Sequence, residues 1–160
     1  MSTFSHLKTG GEANMVDVSE KATTVRQATA EGYLYTNASV LTQISDAKIA
    51  KGDVFAVARV AGIQGAKRCA DLIPLCHPLA LSKVDIEFQV EPENGRIKAT
   101  CFCKLSGKTG VEMEALTGVN IALLTLFDMC KAIDPAMHIE GVKVLEKVGG
   151  KTGHWQNTSE

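Results

Sequence analysis

A chain of 160 residues has the usual length of one compact domain, and 45% apolar with 22% charged residues supplies a core and argues against disorder. The formal net charge of −1 gives no global basic field for nucleic acid, so any anion site must be a local concentration of cations. No segment has the pattern of a targeting signal. The longest strongly apolar run, Ile121 to Phe127, is too short to cross a bilayer, so a cytoplasmic protein without a membrane partner is expected.

Residues 1–22 read as a loosely ordered arm, 23–153 as a single domain, and 154–160 as a polar tail. The segment 23–36 reads as a strand ending in Tyr33-Leu34-Tyr35. Asn37 is placed to cap a short helix carrying Val40, Leu41 and Ile44. Gly52-Asp53 then opens a longer helix, roughly 53–70, whose Ala58, Ala61, Gly62, Gly65 and Ala66 suggest close packing against another backbone. Its glycines each cost about 1 kcal/mol in helix propensity.

Residues 73–79 form a loop stiffened by Pro74 and Pro78. Val84, Ile86, Phe88 and Val90 alternate with charged and polar residues, the period of a half-buried strand. Pro92-Glu93-Asn94-Gly95 is a turn, and Ile97, Ala99, Cys101, Cys103 and Leu105 give the returning strand an apolar face. A loop at 106–110 leads to a long helix over roughly 111–133, ended by Asp134-Pro135. Val142, Val144, Glu146 and Val148 suggest a last strand before Gly149-Gly150. With the early helices acting as one crossover, the order is βαββαβ. That is an α+β, ferredoxin-like split βαβ plan, with an antiparallel sheet and helices on one face.

The five cysteines are odd in number and contain no C-x-x-C. They read as reduced thiols, with Cys101 and Cys103 in the core, and no metal site is expected. Gly107-Lys108-Thr109 and Gly150-Lys151-Thr152 resemble the end of a P-loop. The glycine required five positions earlier is replaced by Phe102 and Leu145. Only a looser expectation survives, that such turns offer amides and a lysine to an anion.

On the long helix, Leu116, Val119, Leu123, Phe127 and Cys130 share one side at 100° per residue. Glu114, Thr117, Gly118, Thr125 and Asp128 form a narrow opposite stripe interrupted by Ile121, with Lys131 one turn beyond Asp128. One reading is a solvated face with an i,i+3 ion pair. The other is a cleft in which desolvation and pairing tune carboxylates and a lysine for proton transfer. His77 lies between two prolines that fix its loop. Cys76 beside it has no neighbouring cation in sequence to favour a thiolate. Lys51 precedes a helix start, either as a surface lysine or as part of an anion site.

Five segments carry a resemblance. They are Met15-Val16-Asp17-Val18, Lys51-Gly52-Asp53-Val54, the run from Asp71 to Leu79, the run from Lys108 to Thr117, and Asp128-Met129-Cys130-Lys131-Ala132. In this order and spacing they closely resemble the MoaC family of molybdenum cofactor biosynthesis, over essentially the whole chain from Met15 to Gly153. The resemblance implies a homohexamer, a trimer of dimers, with active sites between subunits. It implies conversion of 3′,8-cyclo-7,8-dihydroguanosine 5′-triphosphate to cyclic pyranopterin monophosphate with release of pyrophosphate. It implies Asp128 as the acid/base, with Lys51 and Lys131 as catalytic partners. Leu75, Cys76, His77, Met113 and Glu114 would contact substrate, and Asp17, Arg26, Lys67, Glu112 and Lys147 match further polar positions of the pocket. No cofactor is implied with certainty, although Mg²⁺ can accompany a triphosphate. The rival expectation is a non-catalytic module that binds a nucleotide or pterin.

Overall fold

The computed structural model describes residues 4–47 and 53–159, so Lys51 and Gly52 lie outside the described residues. The order of elements is β1 (Thr24–Tyr35), α1 (Ala38–Ser45), α2 (Val54–Lys67), α3 (Cys69–Leu72), β2 (Lys83–Glu91), β3 (Arg96–Gly107), α4 (Glu112–Cys130), β4 (His138–Val148) and β5 (His154–Gln156). The strands form one sheet in the order β2-β3-β1-β4-β5, and each neighbouring pair is antiparallel. The first four strands with α2 and α4 give the α+β, ferredoxin-like plan.

Local chemistry explains most boundaries. The Asn37 side chain accepts the Val40 N–H at 3.0 Å, and Asp53 accepts the Ala56 N–H at 3.0 Å, so each caps its helix. The expected 53–70 helix breaks at Arg68, where the backbone leaves helical angles at φ −107°, ψ 15°. A short turn, α3, follows, and Ile73 is extended ahead of Pro74. The long helix stops at Cys130, earlier than Asp134-Pro135 suggested. Lys131 to Ile133 continue only as turns, with the Ile133 and Asp134 amides both donating to the Cys130 carbonyl. Buried Asp134 then accepts from the Thr36 hydroxyl at 3.0 Å and the Asn37 amide at 2.9 Å, tying the end of β1 to the α4–β4 connection.

The polar tail contains an element that composition hid. His154–Gln156 pairs with Glu146–Val148 as an edge strand. Three residues without an apolar face carry no period-two signal, and the pairing rests on backbone hydrogen bonds.

The core lies between one sheet face and the helices. Ala28, Ala30 and Leu34 of β1, with Ile97, Ala99, Cys101 and Cys103 of β3, meet Ala58 and Ala66 of α2 and Ala115, Val119, Ala122, Leu123 and Leu126 of α4. Cys101 and Cys103 are fully buried with their sulfurs 3.8 Å apart, and neither they nor Cys69 and Cys76 are in a disulfide. At its full length α4 is apolar enough to cross a membrane, but 56% of it is buried inside the fold, as in a core helix.

The small residues of α2 serve a close approach. A Cβ on Gly62 would lie 2.3 Å from Ile86 Cδ1 and 2.9 Å from the Gly118 carbonyl oxygen, and one on Gly65 would lie 2.9 Å from Ile121 Cβ. Alanine at position 62 gains about 1 kcal/mol of helix propensity. Its methyl group costs about 1–3 kcal/mol by overpacking. Gly62→Ala is therefore expected to lower the urea unfolding free energy; equal or greater stability would show that the helices do not meet this tightly.

Candidate active site

A cavity of about 250 Å³ opens where the N-terminal arm, the loop after α3 and the start of α4 converge. Leu75, Cys76 and His77 line one wall, Glu112, Met113 and Glu114 another, and Arg26 of β1 closes a third. Val16, Val18 and Lys21 of the arm complete it. Three separate segments of sequence thus meet, and Pro74 and Pro78 limit the freedom of the loop among them.

The arm takes part in this arrangement. The His77 ring nitrogen Nε2 lies 2.6 Å from the Val16 carbonyl oxygen, and Lys108 Nζ donates to the Ser19 carbonyl at 2.8 Å. Asp17 accepts both the Ser19 hydroxyl and amide, which hold its carboxyl below the usual range, with smaller help from His77 and Lys108. Asp17 does not line the main cavity; it lies on an adjoining recess with His77 and Lys108.

Glu114 is the unusual group. It is 4% exposed, with Glu112 nearby. Burial, opposed by a hydrogen bond to its own amide and reinforced by Glu112, pushes its carboxyl up to about 7. It lines the main cavity and also a recess carrying Lys67, Cys69 and Asp71. Lys67 lines that recess and not the cavity that His77 lines.

The thiols are tuned away from nucleophilic chemistry. Burial raises Cys76, partly offset by a hydrogen bond from Cys69, and Glu114 and Glu112 raise it further. Cys69 is pushed up to about 12 by burial, against a hydrogen bond from Thr117. A thiolate at either position would face Glu114, with no cation among the described residues acting to lower it.

Lys147 is 3.9 Å from Glu112 and lines a second cavity that adjoins the first. Asp128 and Lys131 are elsewhere. Their side chains are 61% and 53% exposed and form an i,i+3 pair at 2.5 Å. They line neither cavity, and Asp128 lies roughly 24 Å from Glu112 along α4, at 1.5 Å per residue. The stripe that joined Glu114 to Asp128 in the sequence is not an open cleft. Glu114, Thr117 and Gly118 are buried, with α2 packed over Gly118 and Ile121, and the stripe emerges only near Asp128. Val16 and Val18 belong to the 15–18 segment that carries the resemblance, in which only Asp17 is expected as a pocket residue; Lys21 is not flagged, because an arm without periodicity gives no sign of what it covers.

A carboxyl that stays protonated to about pH 7 when folded makes the native state bind more protons than the unfolded chain between about pH 4.5 and 7. Stability from neutral Glu114 is complete below that window and is lost as pH rises through it. Glu114→Gln removes the loss. The variant is expected to gain stability relative to the parent between pH 5 and 8, by up to roughly 3 kcal/mol. Thermal unfolding curves across that range check it; a constant difference would mean that Glu114 titrates normally.

The arrangement can bind a polar ring against an apolar wall and move a proton at Glu114, with cations along one rim. The MoaC family matches residues 15–150, the span that contains every cavity wall except the outermost part of the arm and the end of the second cavity. The chain belongs to the MoaC family and so to the enzymes of molybdenum cofactor biosynthesis.

Proposed function

We propose that the protein is a cyclic pyranopterin monophosphate synthase, a lyase acting in the cytoplasm on 3′,8-cyclo-7,8-dihydroguanosine 5′-triphosphate. The products are cyclic pyranopterin monophosphate and pyrophosphate. The observation that best supports this reading is the cavity itself. Residues from the family-matched segments, Leu75-Cys76-His77 and Glu112-Met113-Glu114, face one another across it.

The chemistry fits those side chains. The leucine and methionine offer an apolar wall to a flat ring, while Glu114 and His77 offer hydrogen bonds at its edge. Rebuilding a purine-derived ring needs several proton transfers, and a buried carboxyl that titrates near neutrality suits a donor or acceptor at that pH. Cyclisation then needs a ribose hydroxyl held in line with the α-phosphate, which rigid walls favour. Mg²⁺ would arrive with the triphosphate. Among the described residues no group of three or more His, Cys, Asp or Glu is placed to hold a metal.

Asp128 and Lys131 enter this reading through assembly. They form a charged pair at the far end of α4 from the cavity. In a homohexamer built as a trimer of dimers, the pair of one subunit would reach the cavity of another, together with Lys51. Asp128 would then serve as the acid/base, with the two lysines stabilising developing negative charge.

Purified protein given the cyclic nucleotide is expected to release pyrophosphate and a pterin product. Binding without product would leave a non-catalytic module. Asp128→Asn and His77→Ala are each expected to lose at least about 100-fold in turnover, within the range for a general acid–base group. Dissociated, mixed in equal amounts and reassembled, the two variants should regain roughly a quarter of the activity, because that fraction of shared sites draws both intact groups. No recovery would rule out a site shared between subunits.

A further inference from the structure

One wall of the first cavity comes from outside the family-matched span. Ser5 and His6 line it, and both precede residue 15. Exposure grades around the cavity: Glu114 is buried, Leu75 and His77 are half-buried, and Ser5 and His6 are exposed, so the last two stand at its mouth. No step of the proposed reaction uses them.

A small hairpin brings them there. Leu7 pairs with Ala13 as an antiparallel bridge. The Lys8 amide donates to the Glu12 carbonyl at 2.9 Å and the Gly11 amide to the Lys8 carbonyl at 2.8 Å, closing the turn. Gly11 has a φ of +84°, which a residue with a side chain adopts only under strain. This register sets His6 opposite Asn14, whose amide donates to the His6 carbonyl at 2.7 Å. Residues directly opposite in an antiparallel pair share a face. Here that face is the inward one. Asn14, Val16 and Val18 are half-buried while Met15, Asp17 and Ser19 are exposed, and the two valines line the cavity. The alternation that directs the valines inward therefore directs His6 as well. The bond between the Val16 carbonyl and His77 anchors the hairpin at its base. His6 Nδ1 lies 3.3 Å from the Asn14 carbonyl oxygen, which can only accept, so Nδ1 donates. Nε2 is left as the acceptor of the ring, with no hydrogen-bond partner among the described residues.

We propose that the 6–14 hairpin covers the mouth of the first cavity and that His6 is a substrate-binding residue, accepting through Nε2 from an N–H on the edge of the bound ring. A guanine-derived ring carries such donors on a ring nitrogen and on its exocyclic amine. The walls below offer an apolar face and the Glu114 carboxyl, and His6 adds an acceptor at the rim. The inference rests on the reading that this cavity takes the ring of a cyclic nucleotide, and it gives the hairpin a part in holding that ring.

Calorimetric titration of the full chain with GTP and with inorganic triphosphate, which has no ring, tests it. GTP is expected to bind more tightly than inorganic triphosphate. His6→Ala should weaken GTP about fivefold, the scale of one hydrogen bond, and leave inorganic triphosphate unchanged. His6→Gln keeps a side-chain acceptor and should restore most of the loss. Gly11→Val should match His6→Ala, because its side chain meets open space and acts only on the turn that carries His6. Both positions are exposed, so each variant should fold, and its unfolding curve checks this. A parent that does not bind GTP, His6→Ala or Gly11→Val with the parent's GTP affinity, or equal losses for the two ligands overturns the proposal. GTP binding that depends on His6, in a protein that never converts the cyclic nucleotide, would sink the proposed activity and leave this site standing. Turnover with an unchanged KM in His6→Ala would do the reverse.

Discussion

Two helices meeting at backbone distance over a sheet govern this molecule. Gly62 of α2 brings that helix against the Gly118 backbone of α4, and Gly65 leaves room for the Ile121 side chain to pack on the α2 backbone. The close fit buries the middle of α4 on both sides, between the β1–β3 face and α2. A helix gripped this way cannot tilt or slide without breaking van der Waals contact along its length. Its first turn is therefore a fixed platform for Glu112, Met113 and Glu114, and its last turn a fixed platform for Asp128 and Lys131. The glycines lose helix propensity, and the packing they permit offsets it.

The same packing sets the electrostatics. Glu114 is buried at the cavity wall, and Thr117 and Gly118, the next turn along, are buried behind it. Its neighbour Glu112 lies toward the cationic rim, close to Lys147. Two carboxylates a residue apart thus have opposite surroundings, one pushed up to about 7 chiefly by desolvation and the other engaged by a lysine. Asymmetry of this kind lets one short stretch of chain combine a proton donor with an ion-paired anchor.

Much of this fold can be read from residue periodicity. The alternation from Val84 to Val90 and from Ile97 to Leu105 marks the β2–β3 hairpin, because one face of each strand is buried and the other is not. Asn37 and Asp53 announce their helices by capping chemistry that needs no tertiary context. The site is harder to read. The Glu114-to-Asp128 stripe is real as an angle on a helical wheel, yet the wheel cannot say that α2 covers most of it. β5 escapes because a three-residue edge strand is held by backbone partners and not by pattern. The resemblance marks Asp17 of the arm, but the arm's packing escapes periodicity because its contacts span long stretches of sequence, as between Val16 and His77. What local chemistry fixes is legible in one dimension; what distant packing fixes is not.

The bond between the arm and the histidine loop has a consequence of its own. A carbonyl oxygen can only accept, so Nε2 of His77, 2.6 Å from the Val16 carbonyl, must carry the hydrogen. In the neutral imidazole the lone pair then sits on Nδ1 alone. The N-terminal arm thereby selects one tautomer of a ring on the cavity wall. An otherwise patternless stretch of chain decides which nitrogen of His77 can accept a proton.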